Sequence, residues 1–516
     1  MTGGVQEAEA APAEVFDVAV VGAGPAGLAA AGEAAAAGCS VLLVDAGTQF
    51  GGQYWRHAAP EAEDTDPGRW HHGWSIYQRL TQRVRDAVDV GRIRHLASTH
   101  VVSVRREQAG GDGAEGFLLQ ASLLPEAQKP GSYQAPQLLQ ARALILCPGT
   151  YDRQLPVPGW TLPGVMAAGG VQAFIKTQGA APGRRVVLAG TGPFLLSAAA
   201  SVIHAGAEVA AICESNSLTG WFPGGAAAAL VPSKAAEGAG YVALLAKHRV
   251  PYYRSTAVTA IHGDAAREGA VRSVTVSALD ASGTPVPGSG REVNDVDVVG
   301  LGWGFVPQPE LLLQLGAQTT LDEDGSLVGV ADADQSSSIP RLYLAGEITG
   351  VAGAAAAVAE GRIAGRAASS SVGQAVRAGV ADIQDRATRA AHRRFASVMQ
   401  KAHPIPEGWT QWLEDETLIC RCEEVPWETA RAAAEELSAE EPRGLKGSTR
   451  IGMGWCQGRM CGFAAQCLSK KAHVGEGGAS SGREAEHAAA LSAAKRPLAV
   501  PMRLGDLAEE PELTQE

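Results

Sequence analysis

The stretch FDVAVVGAGPAGLAAAGEAAAAGCSVLLVD, residues 16–45, decides the fold. Its first six residues form a short β-branched run, as in a parallel strand buried on both faces. Gly22, Gly24 and Gly27 follow as G-x-G-x-x-G, with Pro25 and Ala26 between the last two. An Ala-rich helical run then ends at Gly38, and SVLLVD makes a second strand ending at Asp45. Strand, glycine turn, helix and strand complete a βαβ unit. Gly22 permits the tight turn, Gly24 lets a pyrophosphate approach the backbone, and Gly27 lets the helix pack on the strand. The helix N-terminus offers free N–H groups and its positive dipole end to the phosphates. Asp45 is placed to accept from an adenosine ribose hydroxyl. A glycine-rich turn in a generic α/β protein is the weaker alternative.

A second unit follows. RRVVLAG ends at Gly190, TGPFLLSAAASVIHAG reads as helix, and AEVAAICE ends at Glu214. Gly190, Gly192 and Pro193 begin another fingerprint, but Leu195 replaces its third glycine and should push the helix outward or widen the turn. Glu214 suits a ribose 2′-hydroxyl, so NAD or ATP is the candidate ligand. A decayed domain that only shapes the fold is the alternative. LYLAGE, 342–347, is a third apolar strand leading into an Ala-rich stretch at 352–366. Between Thr256 and Val299, alternation with Gly and Pro turns predicts antiparallel strands. The domain boundaries read as a disordered tail at 1–14, a first nucleotide-binding domain at 15–155 plus 296–380, and a second at 156–295. A helical linker at 381–410, a cysteine domain at 411–475 and an extended tail at 476–516 complete the chain.

The 516 residues are 46% apolar and 19% charged, enough for a large core. A net charge of −12 with no basic stripe argues against nucleic-acid binding. The segment Val15–Val44 is long and apolar, but Asp17, Pro25 and Glu33 interrupt it, so no transmembrane segment is expected. The N-terminal MTGGVQEAEAAPAEVF has neither the basic nor the apolar region of a signal peptide, which predicts a cytoplasmic protein.

Eight cysteines are present, five of them in the last hundred residues. Without an export signal, clustered cysteines point to metal or redox chemistry rather than disulfides. Cys420 and Cys422 are separated by 33 residues from Cys456 and Cys461. Two tight pairs of thiolates suit a [2Fe–2S] cluster, whose two irons each take two. Zinc, which prefers C-x2–4-C knuckles, is an alternative, as are four inert thiols. Arg421, Lys446, Arg450 and Arg459 would offset the cluster's negative charge. Glu424-Val-Pro-Trp-Glu should begin a helix with Pro426 in its first turn. Cys39, Cys147, Cys213 and Cys467 read as core residues.

Three further segments carry a resemblance. AGTQFGGQYWR at 46–56 contains Gly52 and Gln53, and ALILCPGTYDR at 143–153 contains Gly149. RLYLAGEITGVAGAAAAVAEGRIAG at 341–365 contains Gly346, Glu347, Gly353 and Ala354. They resemble the flavin-contacting segments of the two-dinucleotide-binding-domain flavoproteins, the glutathione reductase-like α/β fold class. The resemblance implies FAD, with Glu347 on the ribityl chain, where Asp is usual, and the helix start at Val351–Ala354 facing the flavin pyrimidine. A positive helix end there would stabilise reduced flavin. The reductases' redox disulfide is missing after the second strand.

CRCEEV at 420–425 with TRIGMGWCQGRMCG at 449–462 resembles bacterioferritin-associated ferredoxin, a small helical iron–sulfur domain. With GGQYWR at 51–56, PVPGWTLPGVMAAGGVQ at 156–172 and LGWGFVPQPEL at 301–311, it resembles the large subunits of heteromeric amino-acid and opine dehydrogenases over roughly 15–470. That family includes the B-type subunit of hydrogen cyanide synthase, the A-type subunit of opine oxidase and the α subunit of proline or hydroxyproline dehydrogenase; sarcosine oxidase α is more distant. The resemblance implies a separate FAD-containing β subunit of the amino-acid oxidase type, and has room for a small third subunit and for FMN at a subunit interface. This chain would relay electrons from flavin to [2Fe–2S], with a peripheral contact at the inner membrane through its acceptor. A self-sufficient NADH-dependent reductase and a non-catalytic redox scaffold are the rival readings. No catalytic acid–base set is apparent; His57, His71 and His72 read as structural or surface residues.

Overall fold

The computed structural model describes residues 14–59, 67–108, 115–128, 135–221, 231–376, 379–437, 439, 441–473 and 479–508. Of the expected N-terminal tail only Glu14 is among them; it pairs with Arg94 at 2.7 Å.

The first domain is built on a seven-stranded sheet. Strands β1 (Val15–Val21), β2 (Val41–Val44), β3 (Ile93–Leu96), β4 (Thr99–Gln108), β5 (Glu115–Leu123) and β6 (Gln137–Leu146) lie in the order β3-β2-β1-β6-β5-β4. Leu342–Leu344 adds to β6 in parallel. The strands β3, β2, β1 and β6 are parallel, and β5 and β4 fold back antiparallel. Helix α1 (Pro25–Ala36) starts directly after the glycine turn. It packs against the helix Ala354–Ser371 at very short range. A side chain at Gly361 would collide with the Ala26 carbonyl, and one at Gly365 with that of Ala30. Small residues on both helices therefore let the two nucleotide-facing helix starts sit side by side.

The second domain carries five parallel strands in the order Tyr252–Arg254, Glu208–Glu214, Arg185–Gly190, Val298–Gly302 and Val165–Ala167. The expected boundary at 295 is therefore too early. Val298–Gly302 is fully buried between Arg185–Gly190 and Val165–Ala167, so this domain ends at the glycine pair Gly302 and Gly304 rather than before it. The expected antiparallel strands are Thr256–Gly263, Val271–Ala278 and Arg291–Val293, a separate three-stranded sheet. The two domains join through a ribbon, Thr150–Asp152 paired antiparallel with Phe305–Pro307.

Helix Val380–Ala402 lies along Ala354–Ser371, with Arg362 and Arg366 bridging to Asp382 and Asp385. The cysteine region follows: a small hairpin of Leu418–Cys420 and Val425–Pro426, then helices Trp427–Glu436, Pro442–Thr449 and Gly462–His473. Pro426 immediately precedes its helix rather than occupying the first turn. Residues 479–508 are not an extended tail. They form the helices Ala479–Ala494 and Leu504–Ala508, because Ala490, Leu491 and Ala494 have an apolar face to cover at Leu321 and Leu327. Ala499 N–H bonds to the Val102 carbonyl, and the buried Asp506 accepts from Ser122. Among the described residues no helix is long and apolar enough to cross a membrane.

Candidate functional site

The glycine turn after β1 takes the form its sequence demands. Gly22 has φ +100°, and a side chain there would strike the Cys147 carbonyl. Asp45 closes the turn from below: one carboxylate oxygen accepts from Ala23 N–H and the other from Gly47 N–H at 2.6 Å. Burial raises the Asp45 carboxyl above its ordinary range, and these two N–H groups pull it back. Gly51 N–H bonds to Ala23 O, which draws the 46–56 loop across the turn. Gly52 comes so near Gly24 that a Cβ would lie 2.9 Å from the Gly24 Cα. Gln53 is exposed beside it. Both carboxylate oxygens of Asp45 keep a free lone pair, as an orienting ribose partner needs.

The other wall is the segment after Leu344. Glu347 accepts from Thr150 Oγ1 at 2.7 Å. Burial raises its carboxyl, and Thr150 opposes the rise. Gly353 (φ +83°) precedes the helix starting at Ala354, whose N-terminus has no side-chain cap. Its orphan N–H groups are therefore available to an anionic or carbonyl-bearing ligand. Gly149, also at positive φ, turns the chain from β6 into the ribbon. Of the predicted residues, the structure brings Gly24 against Gly52 and Gly346 against Ala26, with Glu347 bonded to Thr150 just after Gly149.

Two residues that the sequence reading missed hold this wall. Glu360 is fully buried and accepts from Gly346 N–H at 2.9 Å. Arg393 bonds Glu360 at 2.7 Å and donates to the carbonyls of Thr349 and Gly350, each at 2.7 Å. No local motif marks either one, because the two residues stand 33 positions apart in sequence on different helices. Lys176 is a third. It is buried, donates to Tyr54 O at 3.0 Å, and burial lowers its amine to about 8. The histidines are held by neighbours: His57 by Trp55 O, His71 by Arg56 O and His72 by Tyr241.

The second fingerprint is differently furnished. Gly190 and Gly192 have positive φ, and Gly190 lies against the Gly302 backbone. Leu195 does not push its helix outward. It is 1% exposed and fits because Gly302, on the neighbouring strand, has no side chain; a Cβ there would lie 3.1 Å from Leu195 Cδ2. Glu214 accepts from Gly192 N–H at 2.8 Å and Asn216 N–H at 3.0 Å, as Asp45 does from its two. It also accepts from Thr191 Oγ1 at 3.2 Å and Asn216 Nδ2 at 3.3 Å, with His403 Nδ1 3.6 Å away. Asn216 in turn donates to Pro404 O. The ribose position is therefore covered by the chain's own linker.

The four clustered cysteines meet in two pairs. The Cys461 thiol donates to the Cys420 sulfur, and the N–H groups of Gly452, Glu423 and Cys422 point at the same sulfur, bringing Cys420 down to about 5 against the opposing effect of burial. Cys461 is raised, chiefly by Cys420 and then by burial. Cys422 lies against Cys456 and is raised, first by burial. Cys420 and Cys461 are buried, Cys456 is partly exposed and Cys422 is exposed. Among the described residues no three His, Cys, Asp or Glu side chains stand as a ready-made metal site. The two thiol pairs neighbour one another, and backbone N–H groups point at Cys420, Cys422 and Cys461. Cys39, Cys147 and Cys213 are core residues.

The family described as pyridine nucleotide-disulphide oxidoreductase matches residues 16–361. The chain belongs to that family. As a pyridine nucleotide-disulphide oxidoreductase homologue with this site, it is an FAD-dependent oxidoreductase. It is 31% identical over 458 residues to the HcnB subunit of hydrogen cyanide synthase from Pseudomonas aeruginosa, spanning 87% of this chain and 92% of that one. It is 31% identical over 469 residues to the A-type subunit of opine oxidase from Rhizobium meliloti strain 1021, spanning 89% and 93%. Its fold resembles that of L-proline dehydrogenase from P. horikoshii, with a TM-score of 0.62 at 16% identity, over 96% of this chain and 79% of that one. The pyridine nucleotide-disulphide oxidoreductase match ends before the cysteine pairs, which belong to the C-terminal extension. Among the described residues, Cys39, Cys147 and Cys213 are all unbridged.

Proposed function

We propose that the chain is the flavin and iron–sulfur electron-transfer subunit of a heteromeric dehydrogenase acting on the C–N bond of an amino acid, secondary amine or opine. One observation carries the reading. Thr150 contacts Glu347 in the FAD cleft, and the next residue, Tyr151, accepts from Arg459 at 2.9 Å, between Cys456 and Cys461. Adjacent residues of one strand thus touch Glu347 on one side and the loop between Cys456 and Cys461 on the other. Bound FAD would take electrons in pairs and release them singly, which is why a one-electron centre beside it is useful.

The chain's residues have distinct parts in this scheme. The turn at Gly22–Gly27 and the α1 N-terminus bind pyrophosphate, and Asp45 orients the adenosine ribose. Thr150 holds the Glu347 carboxylate toward the ribityl chain, and the helix start at Gly353–Ala354 favours negative charge on the flavin ring. Cys420, Cys422, Cys456 and Cys461 would hold [2Fe–2S]. The C-x-C spacing favours that cluster over zinc. The relatives' names, each of a subunit, support a hetero-oligomer whose FAD-containing β partner bears the substrate site. The location fitting this role is the cytoplasm, with the acceptor at the membrane surface.

The NADH-reductase reading is less well supported, because Glu214 is already engaged by Thr191, Asn216 and the linker. An adenine nucleotide in that domain, NAD or ATP, would have no hydride role. An anaerobic spectral titration tests the choice. The chain alone should stay oxidised with NADH. The chain co-expressed with its β partner should bleach with one of proline, sarcosine, glycine or an opine. Bleaching by NADH alone within seconds would make the chain a reductase instead.

A further inference from the structure

The ribbon strand Thr150–Asp152 presents alternate residues to opposite sides, as a strand must. Thr150 serves the flavin side by bonding Glu347, and Asp152 accepts from Gly169 N–H of the second domain at 3.0 Å. Tyr151 and the following Arg153 serve the cysteine side. Tyr151 meets Arg459, and Arg153 lies 4.2 Å over the Phe463 ring while bonding Asp324 at 2.7 Å.

Behind the cysteine loop the charges do not balance. Arg459 and Arg496 both approach Glu310 Oε1, at 3.2 and 3.1 Å. Their side chains are only 13% and 12% exposed, and that of Glu310 is 4% exposed. Tyr151 donates to the same oxygen at 3.1 Å and stays neutral. Burial, and then the Arg459 guanidinium, lower the His100 imidazole below its ordinary range, against Glu126. Two cations thus share one carboxylate. A surplus buried charge is costly unless an opposite charge lies near. Both guanidiniums also grip the loop itself: Arg459 donates to Cys456 O at 3.2 Å, and Arg496 to Gln457 O at 2.7 Å. Arg496 lies within electrostatic reach of Cys456.

We propose that Arg459 and Arg496 are positioning residues for the cysteine centre, that the positive charge Glu310 leaves unbalanced sets its reduction potential, and that Tyr151 ties this cluster of charges to the strand holding Glu347. The proposal rests on the iron–sulfur reading above. With both groups bound, reduction would pass electrons one at a time from reduced FAD to the oxidised centre and on to the acceptor, the pair having been supplied by the amine oxidised on the partner subunit. It adds one negative charge beside the two guanidiniums, so net charge there governs how readily it occurs.

The test is a redox titration of the full chain, reconstituted anaerobically with iron and sulfide and followed by visible and electron paramagnetic resonance spectra. Arg496→Gln should shift the centre's midpoint to a more negative potential. Glu310→Gln, which raises the local positive charge, should shift it to a more positive one. A loosened loop would not produce opposite signs. Unchanged midpoints, or shifts in the same direction, overturn the proposal. If one variant fails to fold, the sign of the other decides. A wild-type chain that takes up no iron gives no titration curve at all; that result overturns the iron–sulfur reading itself and this proposal with it.

Discussion

Glu360 and Arg393 meet at 2.7 Å from two different helices, directly beneath the backbone that carries Glu347. The carboxylate accepts from Gly346 N–H, and the guanidinium donates to two carbonyls of the same turn. A turn containing Gly346 at φ +79° and Gly350 at φ +110° has little conformational preference of its own. The ion pair supplies it. The helix Val380–Ala402 therefore does more than link domains, since its Arg393 supports the turn that carries Glu347.

Removing Glu360 takes from the partly buried Arg393 its carboxylate and from Gly346 N–H its acceptor. Glu360→Ala should cost about 3 kcal/mol of stability, the lower end for a broken buried pair. The flavin-to-protein ratio of the purified variant should fall along with it. Arg393→Lys keeps the charge but cannot reach Glu360 and both carbonyls, so it should lie between wild type and Glu360→Ala. Denaturant midpoints and the flavin absorbance read both effects.

Thr150 offers a narrower test. Its hydroxyl is the hydrogen-bond partner that offsets burial of the Glu347 carboxyl. Thr150→Val preserves shape and strand preference while deleting that donor. FAD should bind about tenfold more weakly, equivalent to ~1.4 kcal/mol. Fluorescence titration of the apoprotein with FAD measures it. An unchanged dissociation constant would mean that Glu347 does not depend on Thr150 for its position.

How much of this was legible in sequence follows from how local each signal is. The turn at Gly22, Gly24 and Gly27 with Asp45 is written within 24 residues, and its structure follows from backbone rules alone. Glu347 and the helix start at Ala354 are equally local. The end of the second domain was misjudged because VVGLG at 298–302 is a buried parallel strand in either domain; only pairing with Val186–Gly190 decides it. The 479–494 helix was missed because an Ala/Ser/Gly-rich stretch has weak periodicity, and its order comes from Leu321 and Leu327 far away. Glu360, Arg393, Lys176 and Arg496 were missed for the same reason: each takes its meaning from a distant partner.

Lys176 gives a pH dependence. Burial lowers its amine from the ordinary 10.5 to about 8 in the folded chain. Below about pH 8 the amine is charged in both states, and folding bears the full desolvation cost. Between about 8 and 10.5 the folded chain has lost this proton while the unfolded chain keeps it. Unfolding then takes up a proton, so this group makes stability rise with pH across that window. The gain is bounded by about 3 kcal/mol at ~1.4 kcal/mol per pH unit. Lys176→Met should be the more stable protein at pH 7, and its advantage should shrink as pH approaches 10. A difference between the two proteins that does not change from pH 7 to 10 would show that the amine is not desolvated.

Leu195 and Gly302 make a compensating pair. Leucine at the third fingerprint position is tolerated because the neighbouring strand has glycine where a side chain would intrude. Gly302→Ala places a methyl 3.1 Å from Leu195 Cδ2 and 3.0 Å from the Ala168 Cβ, and should cost about 1–3 kcal/mol by overpacking. Leu195→Ala should cost about 2–5 kcal/mol by leaving a cavity in the second domain. The double variant should lose less than the two singles added together, because the alanine methyl at 302 enters space the leucine vacated. A double-mutant cycle on thermal or denaturant stability measures that coupling. Strict additivity would mean that the helix moves to accommodate Leu195, and that Gly302 has no part in fitting it.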